Sequence, residues 1–118
     1  MTVLVVCDSQ LVSDRIVDRL STLKRVSAIV RLQSSEVALR FPTAESPEVV
    51  IVDVHLETGN GMDLLRDLAR REPHPIVIAV SRSAHPQYFR QSLRMGAAHF
   101  VMLPEEIDKL TEIVDREP

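Results

Sequence analysis

Residues Val49–Leu65 read VVIVDVHLETGNGMDLL, and the division of this run decides the fold. Val49, Val50, Ile51 and Val52 are apolar and β-branched without alternation, which suits a strand covered on both faces in a parallel sheet. Asp53 interrupts the run where such a strand should end. Glu57-Thr58-Gly59-Asn60-Gly61 reads as a loop, and Met62 opens a helical pattern in which Met62, Leu65, Leu68 and Ala69 share a face. An acid at the carboxyl end of a buried strand stands where open α/β sheets keep their ligands and chemistry. Taken alone, Asp53 is equally well explained as an ordinary turn-facing acid.

Toward the N-terminus, Val3, Leu4, Val5 and Val6 form a second continuous apolar run, followed by Cys7 and ending in another acid, Asp8. Ser9 is placed to cap a helix whose apolar stripe is Val12, Ile16, Leu20 and Leu23. Val26 to Leu32 alternates, with Val26, Ala28, Val30 and Leu32 on one side and Ser27 and Arg31 on the other, as in an edge strand. Ser34 and Ser35 suit the cap of a short helix carrying Val37, Ala38 and Phe41, stopped by Pro42.

Toward the C-terminus, the helix opened by Met62 should end near Arg70-Arg71, and Pro73 and Pro75 break the chain. Ile76 to Val80 reads as a fourth strand ending at Ser81. After Arg82-Ser83-Ala84-His85, Pro86 starts a helix that holds Phe89 and Leu93 and is closed by Gly96. Phe100 to Leu103 is the fifth strand. Beyond Pro104, Ile107, Leu110 and Val114 stripe a last helix. Five strands alternating with five helices through short links predict an α/β fold, a doubly wound five-stranded parallel sheet. Right-handed crossovers then gather Asp8, Asp53, Ser81 and Leu103 on one edge.

The length of 118 residues predicts one domain spanning 1–118. No run is long enough to span a bilayer and no leader pattern opens the chain, so a cytoplasmic location is expected. The single Cys7 has no disulfide partner, and four His residues lack metal-ligand spacing. A net charge of −3 and scarce aromatics give no case for nucleic acid.

Two carboxylates and a hydroxyl converging from three strand ends suit a hard divalent cation and a phosphoryl group. Asp8 after an apolar first strand, Asp53 followed by His55-Leu56 and by Gly61-x-x-Leu64, Ser81 ending strand four, and Leu103-Pro104 together resemble response-regulator receiver domains over the whole chain. The resemblance implies the flavodoxin-like, CheY-like sheet order 2-1-3-4-5 and a non-enzymatic signalling role, with Asp53 accepting phosphate from a histidine kinase or phosphotransfer protein. It implies Mg²⁺, bound weakly, at Asp8, Asp53 and the backbone carbonyl of His55. Ser81 matches the switch hydroxyl, Phe100 the switch aromatic, and Leu103-Pro104 a bond that is usually cis.

Two residues depart from the family. Cys7 replaces the first of an acidic pair, and Leu103 stands where a lysine normally pairs with the acceptor carboxylate. A charge at about 4 Å is worth roughly 4 kcal/mol at an effective dielectric of about 20, and Leu103 supplies none of it. The alternative reading is therefore a pseudo-receiver that docks proteins without phosphorylation. Glu57 is either a substitute carboxylate or a solvated loop acid. Arg82, beside Ser81, reads as a contact for a phosphoryl group or as a solvated loop arginine. Tyr88, Arg90 and Arg94, with Glu106, Lys109 and Glu112, form either a solvated face or one for a downstream target or a homodimer, built from the fourth helix, fifth strand and fifth helix. Enzymes of this fold fit less well: Cys7-Asp8-Ser9-Gln10-Leu11 lacks a flavin phosphate loop, and Asp8 lacks the second acid of a dehalogenase-type phosphatase.

Overall fold

The computed structural model describes residues 1–33, 47–56 and 61–117. The helix read over Ser34–Pro42 and the acid Glu57 lie outside the described residues. Strands β1 (Thr2–Val6), β2 (Ala28–Leu32), β3 (Val49–Asp53), β4 (Ile76–Ser81) and β5 (His99–Met102) form one all-parallel sheet in the order β2-β1-β3-β4-β5. Helices α1 (Gln10–Leu20), α2 (Gly61–Ala69), α3 (Pro86–Arg94) and α4 (Ile107–Arg116) cover its faces. None is long and apolar enough to cross a membrane.

The continuous apolar runs have a direct cause. Successive strand residues point to opposite faces, and here both faces are core. Leu4, Val6, Val50, Val52, Val77 and Ala79 pack against Leu64, Leu65 and Leu68 of α2. Val3, Val5, Val49, Ile51, Ile78, Val80 and Val101 pack against Ile16 and Leu20 of α1 and Leu110 and Val114 of α4.

β2 lies at the sheet edge as its alternation predicts, but it starts two residues late. Val26 bonds back to Leu23 in the turn after α1. Ala28 is exposed, and Val26 packs with the α1 face while Val30 and Leu32 pack with the α2 face. Leu23 likewise falls beyond α1, whose N-cap is Ser9, its side chain accepting from the Val12 N–H.

Helix α3 begins at Pro86, as its sequence predicts. It holds Phe89 and Leu93 as read, but these are 49% and 42% exposed, and the residue it buries fully is Ser92. It ends as its glycine predicts: the Ala97 N–H reaches Ser92 O and the Gly96 N–H reaches Leu93 O, with Gly96 at φ 107°, a Schellman closure.

Gly61, the first residue of α2, fixes how that helix meets β3. A Cβ there would stand 2.8 Å from the carbonyl oxygen of Asp53 and 2.8 Å from Val54 Cα. Both are backbone and cannot rotate away. Gly61→Ala should therefore destabilise by about 1–3 kcal/mol, read as a lower urea midpoint with unchanged slope. A midpoint equal to the wild type would mean that α2 does not seat against the end of β3.

Candidate functional site

The parity of the strands sorts the residues at the carboxyl edge. Cys7 continues the Val3–Val5 series, Asp53 continues Val49–Ile51, and Leu103 continues Val101, all toward α1 and α4. Ser81 continues Val77–Ala79 toward α2. The register pairs Val6 with Val52, Asp53 with Val80 and Ser81 with Met102, so these residues stand side by side at one rim.

Asp53 is 2% exposed. Its Oδ1 accepts the backbone N–H of His55 at 2.8 Å. Its Oδ2 faces the Cys7 thiol at 3.5 Å and the Arg82 guanidinium at 3.5 Å. Burial pushes the thiol up to about 11, partly offset at the Ser9 backbone and reinforced by the negative charges of Asp53 and then Asp8. Cys7 is therefore neutral at pH 7, and both carboxylates lie close enough for the thiol to feel them.

Ser81 is 1% exposed and heavily engaged. Its Oγ is 2.7 Å from His55 Nε2, accepts the Ser83 N–H at 3.0 Å and lies 3.2 Å from Ser83 O. A hydroxyl has one hydrogen, so it donates to either His55 or the Ser83 carbonyl. The His55 ring in turn meets Tyr88 edge-on, with centroids 4.5 Å apart. Phe100 packs edge-on against Phe89 at 5.6 Å. The Leu103–Pro104 bond is cis, and Leu103 is buried.

Cys7, Asp53, His55 and Ser81 are thus linked by contacts at the rim, and Asp8 follows Cys7 beyond the end of β1. Three contacts were not legible from spacing: Cys7 on Asp53, His55 on Ser81, and Arg82 on Asp53. Parity does offer a signal for the last, since Arg82 continues Ile78–Val80 to the same sheet face as Asp53. Tyr88, read as part of an exposed surface, instead turns its ring toward His55. Glu106 accepts the Met102 N–H and pairs with Lys109, which holds its carboxyl below the usual range, the Lys109 contact contributing most.

The oxygen donors suit a magnesium ion that keeps most of its waters. Among the described residues no three His, Cys, Asp or Glu side chains form a metal cluster. Two carboxylates and a backbone carbonyl remain, and Mg²⁺ commonly takes one or two carboxylates while keeping waters. The neutral thiol of Cys7 adds no oxygen ligand.

A family model described as the response regulator receiver domain matches residues 3–115. The chain is similar to the sensory transduction protein LytT of Enterococcus faecalis, with 23% identity over 98% of this chain and 47% of that protein. It spans about half the length of the curated relatives it matches first. In structure it resembles a LuxR-family DNA-binding response regulator from Staphylococcus aureus, with TM-score 0.85 and 17% identity, covering 98% of this chain and 96% of that one. It also resembles the Mn²⁺-bound form of the response regulator Rcp1, with TM-score 0.78 and 16% identity, covering 97% and 88%. With its sheet order, its rim of acids and the match across nearly all of its length, the chain belongs to the response regulator receiver domain family.

Proposed function

We propose that this chain is a two-component signalling receiver that takes a phosphoryl group on Asp53 from a histidine kinase or phosphotransfer protein and signals by a conformational change to a downstream protein. The observation that carries the reading is a buried carboxylate at the end of β3, 2% exposed, beside the end of β1, from which the chain runs on through Cys7 to Asp8. Asp53 is the nucleophile; Asp8, Asp53 and the His55 carbonyl would hold Mg²⁺, which would offset charge on the phosphoryl oxygens. Phosphorylation adds about −1.5 to −2 charges at a dry rim.

Ser81 is the group that responds, and to reach the phosphoryl oxygens it must leave His55 and Ser83. That exchange couples the site to Tyr88 through His55, and the movement of Phe100 would carry it to the face of α3, β5 and α4, where a target or a second copy docks. Cys7 and Leu103 favour a second reading, a phosphorylation-independent docking module, because both reduce the charge available for catalysis.

Incubation of the chain with acetyl phosphate separates the two. The intact mass should rise by one phosphoryl group with Mg²⁺ and stay unchanged when the metal is chelated. No gain at any donor concentration would leave the docking module.

A further inference from the structure

Leu103 leaves the acceptor carboxylate without the cation the family usually supplies from the end of β5. The rim provides another from the neighbouring strand. β4 and β5 pair Ser81 with Met102, and the Leu103 N–H donates to Ser81 O at 2.7 Å. One step further, Arg82 and Leu103 stand beside each other on the Asp53 side of the sheet. Both line one small cleft of about 120 Å³ with Val12, Arg15, Pro104 and Ile107, and of its two arginines Arg82 is the one that makes an ion pair with Asp53. From there the Arg82 guanidinium reaches to 3.5 Å from Asp53 Oδ2.

We propose that Arg82 is the cation of the phosphoryl-transfer site, replacing the charge lost at Leu103. The inference rests on Asp53 being the phosphoacceptor. In the resting chain the guanidinium neutralises the buried carboxylate. During transfer, an Asp53 carboxylate oxygen forms a bond to phosphorus as the donor's bond to phosphorus breaks and its electron pair leaves with the donor; acetyl phosphate releases acetate with no net proton change. Charge spreads over the phosphoryl oxygens, and a planar fork of N–H donors can follow it from the carboxylate onto two of them. The side chain is 46% exposed while Asp53 is 2% exposed, so the arginine can withdraw to admit a donor. Because Arg82 follows Ser81 directly, the hydroxyl and the cation travel on one piece of backbone.

Four chains test this: wild type, Arg82→Ala, Arg82→Lys, and Arg82→Ala combined with Leu103→Lys. With acetyl phosphate and saturating Mg²⁺, Arg82→Ala should slow the gain of one phosphoryl mass by about 10²-fold. Arg82→Lys and the double variant should each recover at least about tenfold of it, a rescue that lost packing would not give. Calorimetric Mg²⁺ titration should show Arg82→Ala binding the ion about fivefold more tightly than wild type, because a cation no longer competes for Asp53, while Arg82→Lys stays near wild type. An active wild type with Arg82→Ala equal to it in rate, or equal Mg²⁺ affinity in all four chains, overturns the Arg82 assignment alone. A wild type that takes up no phosphoryl group overturns the phosphoacceptor reading, and the assignment falls with it.

Discussion

Asp53→Asn is expected to abolish phosphoryl uptake while leaving the fold intact. The amide keeps an oxygen to accept the His55 N–H that Oδ1 now accepts at 2.8 Å, so the turn after β3 survives. What disappears is the anionic oxygen facing Cys7 and Arg82, and an amide is too weak a nucleophile to replace it. Intact mass after exposure to acetyl phosphate and Mg²⁺ should show no added phosphoryl group. Thermal stability should hold or rise slightly, because the change removes a charge from a position that is 2% exposed, and functional carboxylates are commonly kept at the expense of stability. The unpaired Arg82 costs little, being half exposed to water. A phosphorylated Asp53→Asn chain would move the acceptor elsewhere, with Asp8 the first residue to examine.

The rim's electrostatics explain why such a site persists with two of its usual groups replaced. Removing an acid at Cys7 and a base at Leu103 changes the charge in opposite senses. The neutral thiol does not repel Asp53, so less positive charge is required to hold that carboxylate in its buried state. One exposed guanidinium stands 3.5 Å from it. The substitutions are easier to understand as a pair than singly.

The sheet was legible because its cause is local. β1, β3 and β4 each bury both faces, and only an unbroken apolar run can do that. The exit of each run into Asp8, Asp53 or Ser81 followed from the same pattern. Helix α3 was legible in extent but not in orientation, because Phe89 and Leu93, four residues apart, mark a stripe without saying whether it faces the sheet. Here Ser92 takes the buried position, its hydroxyl contacting Met62 Sδ at 3.8 Å. The start of β2 was misplaced because Val26, which closes the turn from Leu23, is apolar and falls by accident in phase with Ala28, Val30 and Leu32. Within the site, strand parity tells which face a residue occupies, whereas the reach of Arg82 or the rotation of His55 is decided by side-chain torsions. Those depend on neighbours that are distant in sequence.

Leu4→Ala should produce the largest loss of stability among these changes. Leu4 is fully buried in β1, pairs with Val30 on one side and Val50 on the other, and faces the leucines of α2. Its backbone is held between two hydrogen-bonded strands, so the sheet cannot collapse into the space left behind. Losses at such sites run to about 2–5 kcal/mol, against a total of about 5–15 kcal/mol for a domain. At roughly 4 °C per kcal/mol for this size, the melting midpoint should fall by about 8–20 °C. Leu4→Met, which conserves volume, should cost less than about 1.5 kcal/mol. Leu11→Ala on α1 should stay within about 0.5 kcal/mol, since Leu11 is 62% exposed. The loss also reaches the chemistry, because Leu4 joins β1, which leads on to Asp8, to β3, which ends in Asp53. Phosphoryl uptake near the lowered midpoint should decline with the folded fraction, and Mg²⁺ should restore part of it by binding only the folded chain. A Leu4→Ala chain melting within about 2 °C of wild type would mean that β1 is not the packed centre of the sheet, and that the two acids are not held together by it.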